Sequence, residues 1–447
     1  MQSHIRLEPF SRLWHLAWPL IIANIATPLL GLTDAAIAGH LDQAYYLAAV
    51  TVGAELLVIF FGTFSFLRMG TTGLVAQAVG SNDQAHSFRI VANAVVLALV
   101  IGSLLLLAGA QAIDPLLKIA KPTLEMTDPL QEYLEVRLWG APANLTLIAL
   151  TGWFIGQGLT RIALYLSVGI NILNIVCNYL LAIELQLNSY GIALGTVISE
   201  YAGVVIAGYV LWRKFTLSKV VIDSIQASGL WVQLVKINTP LMLRTILLHS
   251  VFVTLSVFAA RLGVKEAAAI GLILVLLATA AYALDGFAYA SEIEAGQALG
   301  ERQFERFTNS LWAGAILSFA STAVIVLFAN VFHSQLFHAL TDFQDVVTQA
   351  NALMTWFTWI LFALCGSYWL DGVFIGLTKT LDMCIAMCLA TVLGWIGSLW
   401  YIGTHSLDQL MTAFLIFSII RTISLGSRLP AIIEEIRSLS VLTHPKF

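Results

Sequence analysis

Runs of about twenty mostly apolar residues recur along the whole chain, each long enough to cross the hydrocarbon core of a bilayer as a helix. Twelve such runs fall near 14–39, 46–67, 89–110, 131–154, 162–182, 190–212, 237–260, 266–290, 308–330, 348–371, 383–403 and 409–428. In lipid, only helices and closed barrels satisfy their own backbone hydrogen bonds. Runs of this length therefore predict an all-α membrane protein with twelve transmembrane helices. Charged residues make up 11% of the chain, against about a quarter in a soluble domain, so the exterior must face hydrocarbon.

Twelve spans put both termini on one side. Lys and Arg bias the cytoplasmic side. The side holding the termini carries fifteen of them against four on the other, with Arg137, Arg244 and Arg421 left inside spans. Both termini are expected in the cytoplasm. The opening segment MQSHIRLEPFSRLW lacks a small-residue cleavage site, so the first run reads as a retained span and not as a signal peptide.

The sequence repeats itself at an offset of about 220. Pro19-Leu20 matches Pro240-Leu241, and Gln77-Ala78-Val79-Gly80 matches Gln297-Ala298-Leu299-Gly300. Gly152-x-Phe154-Ile155-Gly156 matches Gly372-x-Phe374-Ile375-Gly376, and His40-Leu41 falls on Arg261-Leu262. With six spans in each half, both halves share one orientation. This is a parallel repeat about an axis along the membrane normal. The expected organisation is an N-lobe over 1–212, a cytoplasmic linker over 213–236, a C-lobe over 237–430 and a cytoplasmic tail over 431–447, with a substrate cavity between two six-helix bundles.

Ionisable groups inside spans are expensive and mark function first. Asp34 lies near the outer end of the first run, Asn178 near that of the fifth, and Thr196 near the outer start of the sixth. Asn174 is one turn deeper than Asn178 on the same helix face. A carboxylate, two amides and a hydroxyl at one depth could hold a proton or a small hard cation. They could equally be a hydrogen-bonded cluster that packs helices together. The repeat puts Leu255 opposite Asp34, so the shared architecture does not demand an acid there, and coupling is its better explanation. Glu200, one turn from Thr196, and Glu55, in the middle of the second run, are secondary candidates. Arg244 and Asp285 lie at similar depth and read as a structural ion pair. Asp371 lies near the inner end of the tenth run. Arg137 and Arg421 stand near run ends and are expected to snorkel. Pro19 and Pro28 interrupt the helix that carries Asp34, and each removes a backbone hydrogen bond. They mark a hinge or simply shape the helix.

Other chemistry has little support. A net charge of −4 and the absence of basic, aromatic-interleaved blocks argue against nucleic acid as a partner. Cys177, Cys365, Cys384 and Cys388 sit in apolar runs and read as packing residues. No nucleotide-binding G-x-x-x-x-G-K-[ST], H-E-x-x-H or G-x-S-x-G motif occurs, so no cofactor, no bound metal and no enzyme activity are expected.

Several segments resemble the multidrug and toxic compound extrusion (MATE) family, in particular its DinF-like branch. Thr33-Asp34-Ala35-Ala36-Ile37-Ala38-Gly39-His40-Leu41 is similar to the family's first-helix motif. Phe66-Leu67-Arg68-Met69-Gly70-Thr71-Thr72-Gly73-Leu74, Asp285-Gly286-Phe287-Ala288-Tyr289-Ala290 and Asp371-Gly372 resemble further segments of that branch. The resemblance implies a V-shaped exporter of amphiphilic and often cationic compounds, driven by H+ or Na+ influx. It implies that Asp34 is the coupling acid, that Asn174 and Thr196 are neighbours of it, and that helix 1 bends near Pro19. Many relatives carry an acid where this chain has Asn178, and the Ile237–Ala260 run has none. Losing an anionic oxygen weakens a Na+ site most, so H+ is the expected coupling ion and Na+ at Asp34 the alternative. The resulting expectation is a monomeric multidrug antiporter of the bacterial inner membrane, contributing to antibiotic resistance. A lipid or lipid-linked sugar flippase is the alternative.

Overall fold

The computed structural model describes residues 7–120, 122–214 and 228–441. In chain order its helices are α1 (Leu7–Gly39), α2 (Ala44–Gly62), α3 (Phe66–Gly80), α4 (Gln84–Ala120), α5 (Leu124–Trp139), α6 (Ala141–Gly156), α7 (Thr160–Tyr179) and α8 (Asn188–Lys214). They continue as α9 (Ser228–Leu262), α10 (Val264–Gly300), α11 (Phe304–Leu340), α12 (Gln344–Ala352), α13 (Met354–Gly376), α14 (Thr380–Leu389), α15 (Gly397–Ile402) and α16 (Leu407–Val441). No strand occurs among the described residues. Most of the expected linker, 215–227, and the end of the tail, 442–447, lie outside the described residues.

Ten helical stretches are long and apolar enough to cross a membrane, and α5 with α6, bent by 48°, makes an eleventh. Twelve were expected. The run 46–67 is helical as α2, Ala44–Gly62, whose stretch Ala44–Leu57 is apolar. Here the chain is broken by a 3-10 turn at Thr63–Ser65 between α2 and α3. The matching stretch of the second half, α10, is one unbroken helix.

The repeat is written into the backbone. Asn82 (φ 58°) and Arg302 (φ 56°) are left-handed at equivalent positions, as are Gly158 (φ 74°) and Thr378 (φ 56°). The latter two close helix ends in the same way. Leu159 N–H donates to the Phe154 carbonyl at 2.9 Å, and Lys379 N–H to the Phe374 carbonyl at 2.9 Å. The G-x-F-I-G repeat has an equally direct cause. A Cβ at Gly152 would meet the Arg68 carbonyl at 2.7 Å, and one at Gly372 the Ala288 carbonyl at 2.1 Å. Gly156 and Gly376 lie against the Thr72 and Glu292 carbonyls at 2.7 and 2.2 Å in the same sense. Small residues let helix backbones meet where lipid offers no hydrophobic drive between helices.

By its packing the chain divides into two compact units. The N-half unit is Ile22–Val75 with Asp83–Asn238, and the C-half unit is Met1–Ile21, Ala76–Asn82 and Thr239–Phe447. The boundaries fall inside α1, two residues after Pro19, and inside α9, just before Pro240. The helix α1 continues through both Pro19 and Pro28. Within the C-half unit the two Q-A-x-G motifs pack reciprocally: a Cβ at Gly80 would meet the Gln297 carbonyl at 2.1 Å, and one at Gly300 the Gln77 carbonyl at 2.2 Å. Gln77 Nε2 also donates to the Gly376 carbonyl at 2.8 Å.

Candidate functional site

The N-half unit joins Asp34, Asn178, Asn174 and Thr196 in one chain of hydrogen bonds. Asn178 Nδ2 donates to Asp34 Oδ1 at 2.7 Å and to Asn174 Oδ1 at 3.0 Å. Asn174 Nδ2 donates to Thr196 Oγ1 at 2.8 Å, whose hydroxyl donates to the Ile192 carbonyl at 3.0 Å. Asn178 and Asn174 are fully buried, Thr196 nearly so, and Asp34 is partly buried. The heptad-like spacing of Asn171, Asn174 and Asn178 puts all three amides on one side of α7. Asn171 Nδ2 meets α1 at the Ala26 carbonyl, 3.0 Å away. Directly after this face the backbone widens into a π-helical turn at Leu180–Glu184, a distortion common beside functional sites.

Two glycines make room for the pair of helices that hold the amides. A Cβ at Gly195 would lie 2.1 Å from Asn178 Oδ1 and 2.8 Å from the Asn178 backbone nitrogen. One at Gly191 would lie 2.7 Å from the Ala182 nitrogen. Gly195 was not singled out from sequence. Its signal was its place next to Thr196, on the helix that had to approach Asn174 and Asn178.

Glu200, considered as a second proton site, is instead bonded to an arginine. Arg137 Nη1 donates to Glu200 Oε2 at 3.1 Å and Arg137 Nη2 to Glu200 Oε1 at 3.2 Å. Asn144 Nδ2 donates to Glu200 Oε1 at 3.0 Å. Arg137 was expected to snorkel from a helix end. The helix α5 begins at Leu124, earlier than the apolar run suggested, so Arg137 stands just before the bend into α6 and is buried. Snorkelling is thus replaced by a bidentate pair. A Cβ at Gly140 would meet Glu200 Oε2 at 2.4 Å, so the bend residue leaves the space the pair fills. The remaining secondary candidate, Glu55, is exposed on α2 and takes no part in this cluster.

The C-half unit holds a second buried charge cluster, in which Arg244, expected to pair with Asp285, also bonds Asp371. Arg244 Nη2 and Arg421 Nη2 both donate to Asp371 Oδ2. Arg421 was also expected to snorkel. It is 1% exposed because α16 runs on to Val441 and places it mid-helix. Tyr368 lies beneath the Arg421 guanidinium at 5.8 Å.

Comparison with known proteins bears on these arrangements. The family model described as MatE matches residues 19–180 and 240–400, one match in each half of the repeat. DNA damage-inducible protein F of Escherichia coli (strain K12) is 36% identical over 411 residues, covering 90% of this chain and 89% of that protein. A probable multidrug resistance protein NorM of Acinetobacter baylyi (strain ATCC 33305 / BD413 / ADP1) is 28% identical over 263 residues, covering 56% of this chain and 57% of that one. A solved structure of a multidrug resistance MATE family transporter of the MOP superfamily, in an outward-facing conformation, superposes with a TM-score of 0.88 at 19% identity. That match covers 98% of this chain and 99% of the other.

Proposed function

Since the chain belongs to the MatE family, we propose that it is a proton-coupled multidrug antiporter, expelling amphiphilic and cationic compounds by alternating access between an N-lobe and a C-lobe. It spans the bacterial inner membrane with both termini in the cytoplasm and works as a monomer. Several relatives are multidrug resistance or export proteins by name, which supports the substrate class.

The observation that carries the coupling reading is the hydrogen-bond chain that ends on Asp34. Asn178 donates both to Asp34 and to Asn174, and Asn174 donates onward to Thr196, so one unbroken chain links the carboxylate on α1 to α7 and α8. A buried chain of this kind is polarised along its length, so a change of charge at Asp34 is felt on α7 and α8. Loading a proton removes the acceptor charge that Asn178 serves and loosens α1 from α7. The prolines at 19 and 28 leave α1 short of two backbone N–H donors, so its bending is cheap where the chain passes between units. Proton and drug then compete for the N-half unit.

The flippase reading loses ground on the arginines. A phosphate-holding cavity needs several free positive charges, yet Arg137 is paired with Glu200, and Arg244 and Arg421 are buried on the shared carboxylate of Asp371. The test is efflux of a cationic dye from everted vesicles. Collapse of the proton gradient should stop it and Na+ should not restore it; restoration by Na+ would reverse the choice of ion. Lipid translocation by the purified protein without dye efflux would favour the flippase.

A further inference from the structure

The N-half unit carries a groove that the transport scheme does not use. It lies between α7 and α8, with the buried Phe154 of α6 at its floor, and encloses about 270 Å³. Two glycines shape it. A Cβ at Gly203 would lie 2.4 Å from Ile170 Cδ1, so the two helices close on each other there. A Cβ at Gly169 would meet nothing within 4 Å, so a gap is left on the exposed side. Along α7 the lining runs from Ile162 to Leu173, a length of about 17 Å at the helical rise. A methylene is close to a water in size, and at about 30 Å³ each the groove has room for roughly nine. The faces around it are those of lipid-facing spans: α8 exposes Val205, Ile206, Tyr209 and Trp212, and α7 exposes Tyr165.

The groove changes character at one end. Ile162 and Val210 line that end. Since α7 and α8 are antiparallel neighbours, Arg161 on one helix and Arg213 with Lys214 on the other follow at the same level. All three are exposed. Arg213 Nε donates to Tyr209 Oη at 2.9 Å, and its guanidinium lies over the Tyr209 ring at 5.6 Å, so its partner is neutral and its charge is left uncompensated. No acid occurs in 157–179 or in 201–214. The Tyr209 and Trp212 rings stand 5.9 Å apart beside this end, as aromatic side chains do at the level where a membrane meets water.

We infer that this groove binds one anionic phospholipid, with an acyl chain between α7 and α8 and its phosphate at Arg161, Arg213 and Lys214. Basic pockets between spans on the cytoplasmic side take such headgroups, and the Lys and Arg bias assigns these helix ends to the cytoplasm. Shape selects the chain and charge selects the head. A zwitterionic lipid offers the same chain but cancels its phosphate with an amine. Inorganic phosphate offers the charge but leaves the groove empty. A cationic drug meets three like charges at the mouth. The site needs neither drug nor coupling ion. Its occupant fills the gap between the two helices that carry Asn174, Asn178 and Thr196, and so holds them together.

The test is native mass spectrometry of the full chain, released from detergent micelles after titration with dioleoylphosphatidylglycerol, dioleoylphosphatidylcholine or inorganic phosphate. Wild type should retain a first phosphatidylglycerol at least about tenfold more tightly than phosphatidylcholine, and should retain no phosphate. Arg213→Gln with Lys214→Gln should lose most of that preference while still taking phosphatidylcholine. Gly169→Leu puts a side chain into the gap and should weaken both lipids severalfold. If Gly169→Leu does not fold, the double-Gln variant, changed only at exposed positions, carries the test alone. Equal retention of the two lipids by wild type, an undiminished preference in the double variant, or phosphate held without lipid overturns the site. A lipid-free dimer of the chain would overturn it as well, since a second copy would then cover the groove.

Discussion

Replacing Asp371 with Asn isolates what a lone buried carboxylate does for two guanidiniums. Arg421 is 1% exposed, Arg244 5% and Asp371 5%, so no partner reaches bulk water. Breaking a buried ion pair by removing one member costs about 3–5 kcal/mol. Here both arginines bond the same oxygen, Asp371 Oδ2, so they stand roughly 5 Å apart once the carboxylate charge is gone, and at an effective dielectric of about 20 their repulsion is on the order of 3 kcal/mol. Asp285, which acts on Arg244, offsets part of this. The expected loss is therefore about 4 kcal/mol or more. A triple variant, Arg244→Met, Asp371→Leu and Arg421→Met, removes the charges together and should regain most of it. Chemical denaturation in detergent micelles, followed by tryptophan fluorescence, measures both. An Asp371→Asn protein within about 1 kcal/mol of wild type, or a triple variant as unstable as the single, would refute the reasoning.

Gly195→Ala drives a methyl against Asn178 Oδ1 at 2.1 Å. It should weaken proton-driven efflux severalfold in the vesicle assay while membrane insertion, read by surface labelling, is retained. Asn178→Asp sets a second carboxylate beside Asp34, where the amide now donates at 2.7 Å. Two acids at that spacing share a proton, so a broadened pH profile of efflux is expected, and an unchanged profile counts against the contact. Gly372→Ala meets the Ala288 carbonyl at 2.1 Å. Backbone cannot yield as a side chain does, so purified yield and thermal unfolding temperature should both fall, more than for an alanine at the open Gly271 on α10.

Much of the fold was legible because lipid permits so few solutions. Long apolar runs had to be helices, and the Q-A-x-G and G-x-F-I-G repeats marked positions where backbone touches backbone. The relay at Asp34 was legible for a similar reason: i, i+4 spacing fixed Asn174 under Asn178, and depth matched Asp34 and Thr196 across helices. The charged partners were not. Hydropathy places a span's apolar centre but not its helical ends, so Arg137 and Arg421 were read as terminal when α5 and α16 extend past the apolar run. Once they were placed at the edges, their acids, Glu200 and Asp371, had no visible partner, and Arg244 was assigned to Asp285 by depth alone. Depth carries no information on azimuth, and azimuth decides that Arg244 also meets Asp371. The break at Thr63–Ser65 was equally hidden, since neither Gly nor Pro lies within that turn.

Proton release on drug binding tests the central claim most directly. Purified protein in weakly buffered detergent solution is mixed with a cationic substrate while a pH indicator is followed. Competition at Asp34 predicts a release of protons by wild type that saturates with the bound drug and vanishes in Asp34→Asn. Equal release from Asp34→Asn, or full drug binding by wild type with no release at all, would contradict it.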